Sequence, residues 1–408
     1  MFDRLIPIMI ICIASTFYFV GGIDIIFPVS MVVLLIYVYH ARRLCFDIGD
    51  VLLALGTFSY YVFTDQGIDA ALYYSIIYVV MYQVGKMIVT VGGYEPESKA
   101  AWMAIAIGVA RMLMGFLHYS VRPEGANEQW VGWGEDGLTP RTGFEMYLVI
   151  MAALLGYFLI LTFKTNKWSR ILGGIGIILS AICVYLGVSS EGRFALGCCI
   201  CGTMAVLILF FIESGFYKKI YGKIILSILF SIAAAIPIAY IFNLFGYRTL
   251  YENSYLSESG GFFTNTRFTL MLQQIKLFKD YPLGHCEVPL IEYNSEDTGA
   301  ITHYVHNFWL DIGRRGGVIP AALYIAFSLT NIISMIKVAI HGKTISRYAI
   351  IAAFIGAMLY SALEATIFGK GYWSSIILMG GLIRGIADDQ CENTKSKRIK
   401  AQTISFSI

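Results

Sequence analysis

Two arginines lie where a phosphate could be bound beside a membrane. Arg193 ends the short turn Ser189–Arg193 between two apolar runs, and Arg267 opens a stretch with helical periodicity. A cation at a helix N-terminus is unfavourable unless an anion binds there as well. The planar guanidinium group suits bidentate binding of phosphate. We therefore treat both arginines as candidates for an anion site. Snorkelling, pairing with Glu191 or a solvated surface position would also explain them.

The segment His303-Tyr304-Val305-His306-Asn307-Phe308-Trp309-Leu310 could handle a proton. Two histidines three residues apart can share a helix face and bind a metal, but no third ligand is near in the sequence, so we expect no metal and no cofactor. His306 could instead accept a proton or bind phosphate, or play a structural role at the membrane interface. Arg314 and Arg315 follow, either as substrate contacts or as anchors for the next span.

Other charges lie within or beside apolar runs. Arg111 falls near the middle of one run, where a charge is costly and usually faces a cavity or a partner. A structural ion pair and a substrate contact explain it equally well. Glu364 and Lys370, at the ends of two later runs, carry the same ambiguity.

The elements that position these residues must be membrane helices. The chain has 408 residues, of which 57% are hydrophobic and 14% are charged, and its mean hydropathy is +0.68. Soluble domains have about 45–50% apolar and about 25% charged residues. We therefore predict an integral membrane protein, all-α and polytopic, folded as a single membrane domain over residues 1–408. Membrane lipid is an expected partner and nucleic acid is not.

Twelve apolar runs predict about twelve spans, with ten or eleven as the alternative if the first two form one hairpin. The runs lie at about 5–20, 25–40, 51–64, 70–84, 101–120, 144–163, 171–188, 194–212, 223–245, 316–336, 348–367 and 371–387.

The positive charges predict how the spans are oriented. Eighteen of the thirty Lys and Arg residues fall on the side of the N-terminus when the loops are counted alternately, which places both termini in the cytoplasm. Two long segments then lie outside: a loop at 121–143, and a large extracytoplasmic loop at 246–315 between spans nine and ten. Within the larger loop, apolar residues at spacings of three and four predict an amphipathic helix at about 266–280, lying on the membrane surface.

The sequence lacks features that would indicate ATP binding, a nucleotide-sugar donor or a two-bundle transporter. No glycine lies five positions before Gly342-Lys343-Thr344, so there is no Walker loop for ATP. No paired Asp-x-Asp occurs in an outside loop, which argues against a metal-bound nucleotide sugar. A two-bundle transporter would have its long connection inside, between spans six and seven, whereas only Lys164–Arg170 is found there.

Taken in order, the motifs resemble the superfamily of O-antigen ligases and Wzy-type O-antigen (polysaccharide) polymerases. The resemblance covers roughly residues 185–335. It rests on the turn that ends in Arg193, on Arg267 heading a helix that ends in Asp280-Tyr281-Pro282-Leu283-Gly284-His285, and on His306-Asn307-x-x-Leu310 with Gly313 before span ten. The chain departs from the family pattern at His285, where the family more often has a small residue.

The resemblance implies a metal-independent, inverting glycosyltransferase of the bacterial cytoplasmic (inner) membrane. Its donor would be a glycan on undecaprenyl pyrophosphate. Arg193, Arg267 and His306 would be catalytic. Asn307, His303, Arg314, Arg315 and Arg111 would be substrate-binding. The product would be O-antigen of lipopolysaccharide, capsule or exopolysaccharide, with a chain-length regulator and a flippase as possible partners. Ligation of lipid-linked glycan to an acceptor stays open, as does a transporter or flippase.

Overall fold

The computed structural model describes residues 31–32, 34–35, 45–90, 95–118, 130–133, 137–140, 144–189, 194–215, 266–284, 288, 290–293, 299–302, 304–364 and 370–405. In chain order its helices are α1 (Ile48–Phe63), α2 (Ile68–Thr90), α3 (Pro96–His118), α4 (Val149–Ala153), α5 (Leu155–Thr162), α6 (Lys167–Ser189), α7 (Phe194–Glu213), α8 (Thr266–Asp280), α9 (Phe308–Gly316), α10 (Val318–His341), α11 (Arg347–Leu363) and α12 (Lys370–Ser405). The strands β1 (Trp130–Trp133) and β2 (Gly137–Pro140) form one antiparallel hairpin, and β3 (Leu290–Tyr293) and β4 (Gly299–Thr302) form another.

The prediction of a helical membrane protein is confirmed. Within the described ranges, five helices are long and apolar enough to cross a membrane, namely α2, α3, α6, α7 and α10. The apolar helices α1 and α11 are shorter. The apolar runs at 5–20 and 223–245 lie outside the described residues, as does most of 25–40.

The apolar surface of the outermost helices is arranged for contact with lipid. On α7, large exposed side chains recur every four residues from Leu196 through Ile200 to Ile212, which places them on one helix face. Helix α10 carries a similar exposed series between Val318 and Ile340. Apolar faces of this size are hidden from water only if lipid or another protein covers them.

The centre of the bundle contains α4, all of whose residues are buried, and the tightly packed pair α2 and α12. Gly85 and Gly381 permit that close approach, because a Cβ atom added to Gly381 would lie 3.1 Å from the Cα atom of Gly85. Small residues commonly bring membrane helices together in this way.

The helix ends fall into two groups, which we call the Asp47 end and the His306 end. At the Asp47 end, Lys86 Nζ lies 3.0 Å from Asp47 Oδ2, which also contacts Arg384 Nε at 3.0 Å. At the His306 end, the start of α9 contacts the end of α11, where Asn307 Nδ2 donates to the Ala362 carbonyl at 2.9 Å. In each group, the helix ends that lie together are those that the alternating count of loops assigns to the same side of the membrane.

Three elements differ from the predicted runs. The run 144–163 is divided at Leu154, because its amide bonds to the Met151 carbonyl three residues back. Helix α12 continues past 387 to Ser405. A separate helix, α9, precedes the predicted span ten. Gly317 separates it from α10 with a φ of 88°, a backbone conformation that suits glycine.

A helix is present in the predicted large loop, over Thr266–Asp280. It buries Leu270 and Gln274 against its neighbours, while Leu272 and Ile275 stay exposed. Gln273 joins it to β3, since its side-chain amide both donates to and accepts from the Ile291 backbone. The apolar face predicted for the membrane surface is therefore divided: Leu272 and Ile275 are exposed, whereas Met271 and Phe278 are half-buried against the protein.

Candidate functional site

The backbone at His306 is held in a left-handed conformation, with a φ of 57°, which is rare for a residue with a side chain. One carboxylate holds it there. Asp311 Oδ1 accepts a hydrogen bond from the Val305 N–H at 2.7 Å, and Oδ2 accepts one from the Asn307 N–H at 3.0 Å. The two amides that flank His306 are thus fixed by one side chain. Such imposed strain is typical of functional sites.

The His306 imidazole is paired with Glu364, the residue that ends α11. His306 Nδ1 lies 3.2 Å from Glu364 Oε2, and the histidine side chain is 29% exposed. Glu364 itself is 6% exposed. A carboxylate beside Nδ1 favours the tautomer with its proton on that nitrogen, which leaves Nε2 as the proton acceptor. The pair can therefore offer a basic nitrogen to a substrate hydroxyl.

Asn307 fixes the relative position of the two elements that carry this pair. Its Oδ1 accepts a hydrogen bond from the Leu310 N–H at 3.1 Å, which caps the start of α9. Its Nδ2 donates to Ala362, two residues before Glu364. The side chain predicted to bind substrate is thus used to join α9 to α11.

Asp311 is buried below His306, with 2% of its surface exposed. Burial raises the pKa of Asp311 to about 6, although the hydrogen bonds from the Val305 and Asn307 amides act in the opposite direction. At neutral pH the carboxylate is still ionised and able to accept both amides.

The helix α8 and the turn that follows it pack directly on α9 and the start of α10. A Cβ atom on Gly313 would collide with the Phe278 ring, so this glycine lets α8 approach. The Val318 N–H donates to the Pro282 carbonyl at 2.8 Å. At Gly317, any side chain would strike the backbone of the same turn. The tertiary structure thus joins residues 280–284 of one motif to residues 306–313 of the other, which are separate in the sequence.

The two neighbouring arginines of α9 have different surroundings. Arg314 is 1% exposed, and its Nη2 donates to the Val288 carbonyl, so it ties the loop before β3 to the bundle. Arg315 is half-buried and lines a cavity with Tyr60, Phe308 and other aromatic residues. Of the pair, Arg315 is the one placed beside open space.

Arg111 is buried in the bundle, with 1% of its surface exposed. Its Nη2 donates to Ser375 Oγ on α12 at 3.2 Å, and its guanidinium group lies 5.9 Å from the centre of the Tyr147 ring. These contacts link α3 to α12 and to the segment before α4.

The remaining predicted residues are less completely described. Arg267 is the second residue of α8, whose backbone is described there; Arg193 and His303 lie outside the described residues. The residue after Phe194 is held in place: the Ala195 N–H, in the first turn of α7, donates to Glu145 Oε1 at 3.0 Å. Glu145 is fully buried, so it fixes the start of the helix directly after Arg193.

Sequence reasoning left Glu364 ambiguous and missed Glu145. Neither could be identified from spacing, since His306 and Glu364 are 58 residues apart and Glu145 and Ala195 are 50 apart. No group of three His, Cys, Asp or Glu side chains that could hold a metal occurs among the described residues.

The chain matches no protein-family model and no curated protein sequence.

Proposed function

We propose that this protein is a membrane glycosyltransferase of the O-antigen polymerase and ligase type. It joins oligosaccharide repeat units, each carried on undecaprenyl pyrophosphate, into O-antigen, capsule or exopolysaccharide. The reaction takes place on the outer side of the bacterial cytoplasmic membrane. The donor already contains the energy of its glycosyl–pyrophosphate bond, so the proposed reaction requires neither nucleotide nor metal.

The observation that carries the proposal is the His306–Glu364 pair. His306 belongs to the His-Asn-x-x-Leu segment of the resemblance, and it is the residue held in a strained backbone by Asp311. Its Nδ1 faces a buried carboxylate. A histidine oriented by an acid is a recurring arrangement for general-base catalysis.

In the proposed step, the acceptor hydroxyl transfers its proton to His306 Nε2 while its oxygen attacks the anomeric carbon of the donor. The bond from that carbon to the pyrophosphate oxygen breaks, and the electron pair leaves with the pyrophosphate. Because attack and departure occur on opposite faces, the anomeric configuration is inverted. Arg193 and Arg267 would stabilise the negative charge of the leaving group. Glu364 would stabilise the protonated imidazole.

The distribution of Lys and Arg residues predicts which end of the bundle faces the cytoplasm. The loops at the Asp47 end belong to the group rich in Lys and Arg, so this end is assigned to the cytoplasm. The His306 end is then outside, together with α8 and the two hairpins. In this scheme about twelve spans cross the membrane, both termini are cytoplasmic, and residues 246–315 form the large extracytoplasmic loop. A flippase would supply the donor, and a chain-length regulator would act on the product.

The proposal is tested by His306→Ala in a strain that depends on this protein for its surface glycan. We expect the glycan ladder to collapse to single repeat units. His341→Ala is the matched control, because His341 is an exposed residue in the last turn of α10 and should leave the ladder unchanged. A full ladder from His306→Ala at normal expression would contradict the proposal.

The same experiment separates the alternatives. Accumulation of single-repeat glycan on the cell surface indicates a polymerase. Accumulation of long lipid-linked polymer in the membrane indicates a ligase. Retention of unpolymerised lipid-linked repeat units on the cytoplasmic face would instead indicate a transporter or flippase.

A further inference from the structure

A cavity of about 480 Å³ opens at the His306 end of the bundle, between α1, α2, α9, α10 and α12. Its volume falls within the range of about 300–1,000 Å³ that small-molecule sites occupy. Helix α9 contributes Phe308, Ile312 and Arg315 to the wall. These residues are spaced four and three apart and so share one helix face. His306 lies two residues before this face begins.

Aromatic rings form most of the cavity wall. Eight of the thirteen lining residues are aromatic, five of them tyrosines, and one is aliphatic. On one side Tyr61 and Tyr74 are stacked, with ring centres 4.3 Å apart and planes at 8°. On the other side, the Phe308 ring centre lies 4.1 Å from that of Trp373. Tyr324 completes that side, and its hydroxyl lies 2.8 Å from Thr57 Oγ1.

The rim of the cavity is polar and carries both signs of charge. Asp65 and Gln66 are exposed in the turn between α1 and α2, and half-buried Arg315 faces the same space. Two residues of this turn have a positive φ, Asp65 at 54° and Gly67 at 88°. A carboxylate, an amide and a guanidinium group together can donate and accept hydrogen bonds in several directions.

We propose that this cavity binds a sugar ring of the glycan, which rests on the proposed function for the identity of that glycan. A pyranose ring has flat C–H faces that pack on aromatic rings, and a perimeter of hydroxyl groups that pairs with the polar rim. The aromatic walls that contain Tyr61 and Phe308 pack on the flat faces of the ring. Asp65, Gln66 and Arg315 pair with its hydroxyl groups.

Two other ligands fit less well. A lipid chain packs best on aliphatic side chains, and Ile312 is the single aliphatic residue among those that line the cavity. A pyrophosphate would be attracted by Arg315 but repelled by Asp65. The cavity therefore suits an uncharged sugar.

The test measures binding without turnover. Purified protein in lipid nanodiscs is titrated with the host's own repeat-unit oligosaccharide, freed of its lipid by mild acid, and separately with undecaprenyl phosphate. We expect Tyr61→Leu and Arg315→Gln each to weaken oligosaccharide binding about tenfold, which corresponds to about 1.4 kcal/mol, and to leave undecaprenyl phosphate binding unchanged. Tyr185→Leu and Arg170→Gln are matched controls, because both side chains are exposed on α6.

Wild-type affinity for the oligosaccharide in both cavity variants, or no binding by the wild-type protein, would overturn the proposal. So would a loss confined to undecaprenyl phosphate, since this would make the cavity a lipid site. Arg315→Gln keeps the test decisive if Tyr61→Leu fails to fold. If the wild-type protein binds the oligosaccharide in the cavity but forms no polymer, the proposed function fails and the sugar site stands.

Adding the same oligosaccharide to a transfer assay shows whether the bound sugar belongs to the acceptor or to the donor. An added oligosaccharide that becomes extended occupies the acceptor position, whereas one that inhibits without being extended occupies the donor position. In either case the effect should require about tenfold more oligosaccharide in Arg315→Gln than in the wild-type protein.

Discussion

Replacing Glu364 by Gln tests whether this carboxylate acts through His306. Glutamine keeps the shape of the side chain and can still accept a hydrogen bond from Nδ1, but it removes the negative charge. The distance between His306 Nδ1 and Glu364 Oε2 is 3.2 Å. At this distance two unit charges attract by about 5 kcal/mol at an effective dielectric constant of about 20, and by about 1 kcal/mol in water.

The imidazole is 29% exposed, so we take an intermediate value of about 2–3 kcal/mol for the charge interaction lost when His306 is protonated in the transition state. This predicts a kcat about 30- to 150-fold lower with little change in KM, since in the proposed step the imidazole acquires its charge only in the transition state. The measurement is the initial rate of polymer formation in proteoliposomes at several concentrations of lipid-linked repeat unit.

Glu95→Gln is the matched control, because Glu95 is exposed just before α3, at the Asp47 end. Thermal unfolding of both variants separates a structural effect from a catalytic one. A kcat for Glu364→Gln within threefold of the wild-type value, alongside an inactive His306→Ala, would refute the reasoning. An increase in KM with unchanged kcat would refute it as well.

Three further predictions concern the framework of the site. Burial raises the Asp311 pKa above its value of 3.8 in the unfolded chain to about 6, so the folded state binds this proton more tightly. Its contribution to stability is full below about pH 4 and is lost as the pH rises through about 6, a change of about 3 kcal/mol. The unfolding temperature of the wild-type protein should therefore be lower at pH 7 than at pH 5, and this pH dependence should be absent in Asp311→Asn. An equal pH dependence in the two proteins would contradict the prediction. Gly313→Ala should weaken the packing of α8 on α9 by about 1–3 kcal/mol and shorten the glycan ladder. Gly174→Ala is the control and should do neither, because Gly174 has open space around it. A normal ladder from Gly313→Ala would count against the docking of α8. Lys86→Met removes the buried ammonium group that pairs with the carboxylates of Asp47 and Asp50, and it should destabilise the protein by about 3–5 kcal/mol. Lys164→Met, at an exposed position, should not. Unfolding in detergent measures both variants, and equal stability of the two would contradict the prediction.

The elements near the site could be predicted to different degrees. The helix at Thr266–Asp280 matches its predicted bounds, because its residues repeat at spacings of three and four and Pro282 follows it. Helix α9 was not predicted as a separate element. Its sequence, Phe308–Gly316, is only nine residues long and continues into an apolar run, so only the φ of Gly317 separates the two helices.

The sequence alone determined that this is a helical membrane protein, and it predicted His306 as a residue that could accept a proton. Hydropathy and helical periodicity are local properties, so they can be read from neighbouring residues. Only the tertiary structure decided that Glu364 orients His306, and that Arg315 rather than Arg314 faces a cavity. These outcomes depend on how α9 docks against α11 and α1, which are distant in the sequence. A pattern of nearby residues therefore could not predict them.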